Sequence, residues 1–217
     1  MIKLRLCFTK TGPLRYIGHL DFLKVFQQTI RRAGLPVAYS QGFNPHIQLS
    51  FALPLPLGMT SANDYADLTL KHEMQEAKLL SNFNANAPDG LVLSSAKPFS
   101  GAGAAALATA ADYFLFTDID ASKAIDCILS KESIVIPKKT KSGVKDTDIR
   151  PDIFHISKED NHILMRLAAG SGRFLNPLVV AKLLINEDAS PSSIIRNELY
   201  SQDNDKGLVP LYETSVH

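Results

Sequence analysis

The sequence predicts an α+β fold, helices packed on one face of antiparallel sheet, on two observations. Segments in which apolar residues alternate with polar ones interleave with segments at helical spacing. Their order, strand, helix, strand, strand, helix, strand, runs once through residues 1–100 and again through residues 111–217.

In the first run, Ile2, Leu4, Leu6 and Phe8 alternate with Lys3, Arg5 and Cys7, the pattern of a half-buried strand. After a Thr11-Gly12-Pro13 turn, Leu20, Leu23, Val25, Phe26, Ile30 and Ala33 sit near helical spacing. This predicts a helix over His19–Ala33, with Gly34 as its C-terminal cap. Strands are expected at Ile47–Leu53 and Tyr65–Leu70, a helix at Met74–Phe83 and a strand at Leu91–Ala96. Gly101–Ala111, rich in Gly and Ala, reads as a linker or a short helix.

The second run is expected to hold a strand at Tyr113–Thr117, a helix at Ala121–Leu129, a short strand at Ile134–Ile136 and a basic loop from Pro137 to Lys145. A hairpin joins Ile149–Ile156 to Ile163–Ala168. A helix over Asn176–Ile185 and strands at Ile194–Tyr200 and Leu208–Tyr212 close the chain. The order in each run is the ferredoxin-like split βαβ pattern. Two tandem ferredoxin-like (βαββαβ) halves are therefore expected, each an antiparallel sheet with helices on one face.

Composition narrows the functional classes. The 217 residues are 45% apolar and 21% charged, with no apolar run near the ~20 residues needed to cross a bilayer. The N-terminus has no signal-peptide core, so a cytoplasmic protein with no membrane partner is expected. Cys7 and Cys127 stand far apart in apolar stretches and are expected to be reduced, buried thiols. The clustered cysteines of an iron–sulfur radical enzyme are absent, so no cofactor is expected in this chain. Charge is segregated: residues 1–60 carry seven Lys or Arg against Asp21 alone, and residues 61–130 carry four against nine acids. Residues 131–175 are basic again, nine against six, which predicts a surface able to attract an anion such as RNA.

Three constellations could carry chemistry. Arg15 and Tyr16 precede the first helix, and His19 and Asp21 sit at its start, where free N–H groups attract anions. Asp21 there also complements the helix dipole. The run Tyr39-Ser40-Gln41-Gly42-Phe43-Asn44-Pro45-His46 has neither helical nor strand period. Its Tyr39, Gln41, Phe43 and Asn44 combine aromatic faces with two-sided hydrogen bonding, which suits a splayed base. Lys138, Lys139, Lys141 and Lys145, with Arg150 just beyond, form a basic segment suited to phosphate. If His19 and His46 face each other, they could cleave RNA as general base and general acid. They could instead share a metal with Asp21, although the spacing carries no metal signature, and no metal site is expected.

Leu14 to Asp21, Arg31 to Pro36, Tyr39 to His46 and Ser50 to Gly58 together resemble the bacterial radical SAM-linked proteins, and Lys141 to Pro151 extends the resemblance. The sequence departs from that pattern at Gly18, where a serine is expected, and at Ile47, where proline often follows the histidine. The resemblance implies a chain that accompanies a radical S-adenosylmethionine enzyme, the partner alone holding S-adenosylmethionine and an iron–sulfur cluster. The leading expectation is an accessory module presenting RNA, tRNA or rRNA, to that partner. The alternatives are a metal-independent endoribonuclease using His19 and His46, and a module that only docks the radical enzyme.

Overall fold

Alternation in the first strand is interrupted by charge on one face, and that face organises much of the molecule. The computed structural model describes residues 1–140, 143–186, 189–190 and 193–214. Strand β1 (Ile2–Lys10) sends Leu4, Leu6 and Phe8 into a core with helix α1 (His19–Arg32). A short 3₁₀ helix, Gly12–Tyr16, joins the two. α1 presents Phe22, Phe26 and Ile30 to that core and ends where predicted, Gly34 taking the left-handed φ of 63° that a Cβ would strain. β2 (Leu49–Phe51) is shorter than the predicted strand, because Pro54 and Pro56 follow so closely. β3 (Thr60–Leu70) is longer, and takes Asp64 inside it. α2 (Glu76–Asn86) packs Leu79 and Phe83 beside α1, and β4 (Leu91–Pro98) completes the first run.

The Gly/Ala segment divides between α3 (Ala104–Leu107) and the start of β5 (Ala108–Leu115). Small side chains at Ala108, Ala110 and Ala111 are buried in the sheet, so this is neither linker nor simply helix. α4 (Ser122–Ser130) follows, then β8 (Ile153–Lys158) and β9 (Ile163–Ala168) as the predicted hairpin. α5 (Pro177–Ile185) is capped by Asn176, whose side chain accepts from the Leu178 N–H at 3.0 Å. β10 (Ile194–Asp203) and β11 (Gly207–Pro210) form the last hairpin.

Between α4 and β8 the expected basic loop is a two-stranded ribbon, β6 (Val135–Thr140) and β7 (Gly143–Asp148), in a sheet of its own. β-branched residues recur along it at Val135, Val144 and Thr147, a strand signal that the density of lysine obscures.

The two runs share one mixed sheet in the order β4-β1-β3-β10-β5-β9-β8, with β2 on β3 and β11 on β10. The junction is the short parallel pairing of Ile195 with Thr60 and Arg196 with Ser61. All the other strand pairings among the described residues are antiparallel. One core lies under α1 and α2; a second lies under α4 and α5 and reaches back to Leu53, Leu55 and Met59. The cysteines differ from expectation: Cys7 is buried, whereas Cys127 is exposed on α4. No helix among the described residues is long and apolar enough to cross a membrane.

Candidate functional site

The 3₁₀ turn before α1 is tied down by its backbone. Arg15 accepts from the Gly58 N–H at 2.8 Å, and its Nε donates to the Gly12 carbonyl at 3.2 Å. The first of these bonds brings the turn against the segment that holds Leu57; Tyr16, Leu57 and Leu20 on the first turn of α1 are all largely exposed. Gly18 caps α1 without a side-chain hydrogen bond, at the position where the resemblance implies a serine. Asp21 is exposed and pairs with Lys24 at 3.0 Å, an ordinary first-turn ion pair.

His19 turns inward, its ring edge-on to Phe51 at 5.6 Å. Beneath it are two charges that sequence reading did not single out. Lys10 is buried, its ammonium 4.7 Å from the centre of the Phe22 ring and donating to the Ile17 carbonyl at 3.3 Å. Burial lowers the Lys10 pKa despite the nearby Asp64 carboxylate. Asp64 in turn accepts from Arg196 at 2.5 Å, and burial pushes its carboxyl up against that pull. Perturbed groups near a histidine would suggest catalysis. Here His19, Lys10 and Asp64 enclose a cavity of only about 10 Å³, room for about one water and no substrate.

The polar-aromatic loop leaves the other end of β2. Tyr39 bridges Ile47, and Lys71 lies 5.9 Å from the Tyr39 ring centre. The Ser40 hydroxyl accepts from the His46 N–H at 3.0 Å, and the His46 carbonyl accepts from the Ser40 N–H at 2.8 Å, closing the loop. Gly42 turns it at φ 120°. Gln41, Phe43, Asn44 and His46 are all exposed, Phe43 completely. His19 meets β2 at Phe51, whereas His46 lies just before its start, so the two histidines sit toward opposite ends of β2. No group of three His, Cys, Asp or Glu side chains among the described residues is placed to hold a metal.

Further along the chain, Arg150 has a structural role. Its guanidinium donates to the carbonyls of Leu129 (3.2 Å), Lys131 (3.0 Å) and Ile153 (3.1 Å). Asp148 accepts from the N–H groups of Ile134 (2.8 Å) and Arg150 (3.0 Å). Together they fasten the root of the β6–β7 ribbon to the end of α4. On the ribbon Lys138 pairs directly with Lys145, and the Lys139 backbone with Val144. Lys141 lies outside the described residues. Of the basic residues in the first sixty, Arg5 and Lys10 are interior, so that block makes less of a surface patch than its count implies.

A family model described as "Uncharacterized protein conserved in bacteria (DUF2344)" matches residues 3–177. The chain belongs to that family. No curated protein matches it. The part of the chain that matches this bacterial family takes in the 3₁₀ turn, the 39–46 loop and the ribbon, and ends as α5 begins. Arg196 and Glu198, which join β10 to the matched part, lie beyond it.

Sequence reading missed the polar network on the sheet face opposite α1. Tyr65 donates to Glu198 at 2.6 Å, and Arg166 holds Asp112 through two bonds of 2.7 and 2.8 Å. Tyr200 donates to Asp112 at 2.8 Å, and its own pKa is pushed up to about 12, chiefly by burial. The available signal was charge at single positions inside apolar strands, Asp112 in β5 and Glu198 in β10. Burial also raises the Glu198 pKa, although Tyr65 and the Leu199 N–H stabilise the carboxylate. A carboxyl whose pKa is higher folded than unfolded favours the folded state in acid. That contribution is lost as pH rises from the unfolded value, about 4.5, through the folded one. Glu198→Gln, which still accepts from Tyr65, is therefore expected to melt at a higher temperature than wild type near neutral pH. The gain shrinks toward about pH 4, where wild type is protonated in both states. Thermal melts across that range check it, and a difference independent of pH contradicts it.

Proposed function

We propose that this chain is an accessory RNA-binding module that presents tRNA or rRNA to a radical S-adenosylmethionine enzyme. In this reading the partner alone carries S-adenosylmethionine and the iron–sulfur cluster, and the two act together in the cytoplasm. Its framework is two ferredoxin-like units fused edge to edge. The orders β4-β1-β3-β2 and β10-β5-β9-β8 support that reading, the ribbon being an insertion in the second unit.

The observation that carries the proposal is the pairing of Lys138 with Lys145 on the ribbon. Like charges directly opposite each other destabilise a strand pair. These two are exposed on a ribbon outside the main sheet, where a bound phosphate would relieve their repulsion. Ile136 and Lys138 lie two positions apart on β6 and share a face, and Ile136 packs on the second core. The lysine pair therefore faces the side on which the body lies, and the arm is suited to hold a strand against it. Fully exposed Phe43 on the other polar loop offers an aromatic for a base or for the partner enzyme. The endoribonuclease reading gains nothing from two histidines toward opposite ends of β2.

The test is RNA binding by fluorescence anisotropy over a salt series, with total tRNA and rRNA fragments. Lys138→Glu/Lys145→Glu is expected to weaken binding about tenfold or more at low salt. It should also flatten the log–log salt slope by about 0.7 for each phosphate that the protein no longer neutralises. Absence of RNA binding at low salt, with and without the radical enzyme, overturns the proposal.

A further inference from the structure

On the sheet face away from α1, two rows of side chains cross three strands. Arg5, Asp67 and Ser50 stand in register on β1, β3 and β2. Lys3 pairs with Thr69, whose N–H donates to the Gln48 carbonyl at 3.0 Å. Above these rows the loop after β4 closes one side, leaving a groove of about 350 Å³ that contains Phe99, Gly101 and Gly103. That volume is within the range of small-ligand sites.

The wall is held rigidly. Arg5, wholly buried, pairs with Asp67 at 3.0 Å and donates to the Ala102 carbonyl at 3.3 Å. Its guanidinium lies 4.5 Å from the centre of the Phe99 ring. Asp67 also accepts from the Ala104 N–H at 2.5 Å, and Phe99 donates its N–H to the Lys3 carbonyl at 3.1 Å. A Cβ at Gly103 would come within 3.0 Å of the Asp67 carboxylate, so glycine lets the wall approach this closely. The buried ion pair thus fixes an aromatic ring at the edge of a groove before any ligand arrives.

The remaining groups are unengaged. The hydroxyls of Ser50 and Thr69 and the Lys3 ammonium have no hydrogen-bond partner among the described residues. Gln48 donates Nε2 to the Tyr39 carbonyl at 3.2 Å, which leaves its Oε1 as an acceptor. Asp67 is neutralised by Arg5, so Lys3 is the uncompensated charge at the rim. An aromatic face, short-range donors and an acceptor, and one cation outside match a base, its edge and its phosphate.

We propose that this groove binds one splayed nucleotide of single-stranded RNA, its base on Phe99, its edge toward Gln48, Ser50 and Thr69, and its phosphate at Lys3. The inference rests on the RNA-binding reading and names where a base is held, apart from the phosphates gripped by the ribbon. Gln48 is two residues from His46, which connects the groove to the 39–46 loop.

The full chain is titrated with AMP, GMP, CMP and UMP at millimolar concentrations while amide NMR signals are followed. Shifts confined to residues around Lys3, Gln48–Ser50, Thr69 and Phe99–Gly103 are expected for at least one nucleotide. Phe99→Ala should abolish them. Ser50→Trp, at an exposed position on β2 beside Asp67, fills the groove and should do the same while amide signals elsewhere in the chain stay as in wild type. Each variant is expected to weaken single-stranded RNA binding about tenfold, with the salt slope kept. If no mononucleotide shifts these signals, or Ser50→Trp leaves RNA affinity unchanged, the groove proposal falls. Binding of RNA through the ribbon would survive that result. If mononucleotides bind here and no RNA does, the groove is a nucleotide site and the RNA reading is what fails.

Discussion

Arg196→Met is expected to lower the stability of the folded chain by about 3–5 kcal/mol, as removal of one member of a buried ion pair does. The runs on either side of the junction pair through only two residues of each strand, Ile195 with Thr60 and Arg196 with Ser61. The Arg196 side chain supplies much of what holds that junction. It donates to Asp64 at 2.5 Å and to the carbonyls of Leu53 and Pro54 at 3.0 and 3.4 Å. Burial opposes its charge, and Asp64 and Tyr113 more than restore it. Without it Asp64 becomes a buried carboxylate with only Lys10 as a cation nearby, and two carbonyls lose their donor. Burial already raises the Asp64 pKa, and removing its cation raises it further. The deficit is therefore greatest at neutral pH and narrows in acid, where protonation removes the unpaired charge. The double variant Asp64→Leu/Arg196→Met, which leaves no orphan charge, is expected to recover most of the loss. Urea unfolding of the two variants checks both statements. A single variant within about 1 kcal/mol of wild type would show that the junction does not depend on this pair.

Much of this architecture was legible in sequence, for identifiable reasons. β1, α1, α2, β9 and α5 carry long or strongly periodic apolar patterns with clear stops, such as Gly34 after α1 and Asn176 before α5. The Gly/Ala stretch was not legible, because alanine fits a helix, a linker or a crowded sheet, and only the sheet's neighbours decide. The ribbon was hidden for a different reason. Four lysines in eight residues read as a solvated loop, and the cross-strand register that sets Lys138 opposite Lys145 cannot be seen one strand at a time.

The candidate functional segments divide in a similar way. The 39–46 segment was recognisable by its composition, and it is a polar, aromatic-bearing loop exposed from Gln41 to His46, with Tyr39 half-buried at its root. The groove was not, since it needs Lys3, Ser50, Thr69 and Phe99 to meet from four segments. Alternation placed Arg5 on a solvated face. The loop after β4 covers that face, and a charge assigned to solvent becomes the buried support of Phe99.

Phe26→Ala is expected to cost about 3–5 kcal/mol, the range for removing a buried aromatic that its surroundings cannot replace. Phe26 is wholly buried at the centre of a ring cluster, with Phe8, Phe51 and Phe83 at 5.2, 5.3 and 5.0 Å between centroids and Phe22 at 6.1 Å. Its contacts with Phe8 and Phe51 are edge-to-face, each worth about 0.5–1.5 kcal/mol beyond area burial. Collapse into the cavity is limited, because the neighbours belong to β1, β2, α1 and α2, and each is held by its own backbone bonds. The effect extends to the surface through Phe51, which touches both Phe26 and His19. Loss of the ring frees Phe51 to shift, and the His19 side-chain NMR signals are expected to move while the exposed His46 signals stay. Phe26→Leu, which refills most of the space, should restore a large part of the stability and the His19 signals together. Chemical denaturation gives the first quantity and histidine-selective NMR the second. A full loss of stability with His19 unmoved would show that α1 carries its N-terminal turn independently of the ring cluster below it.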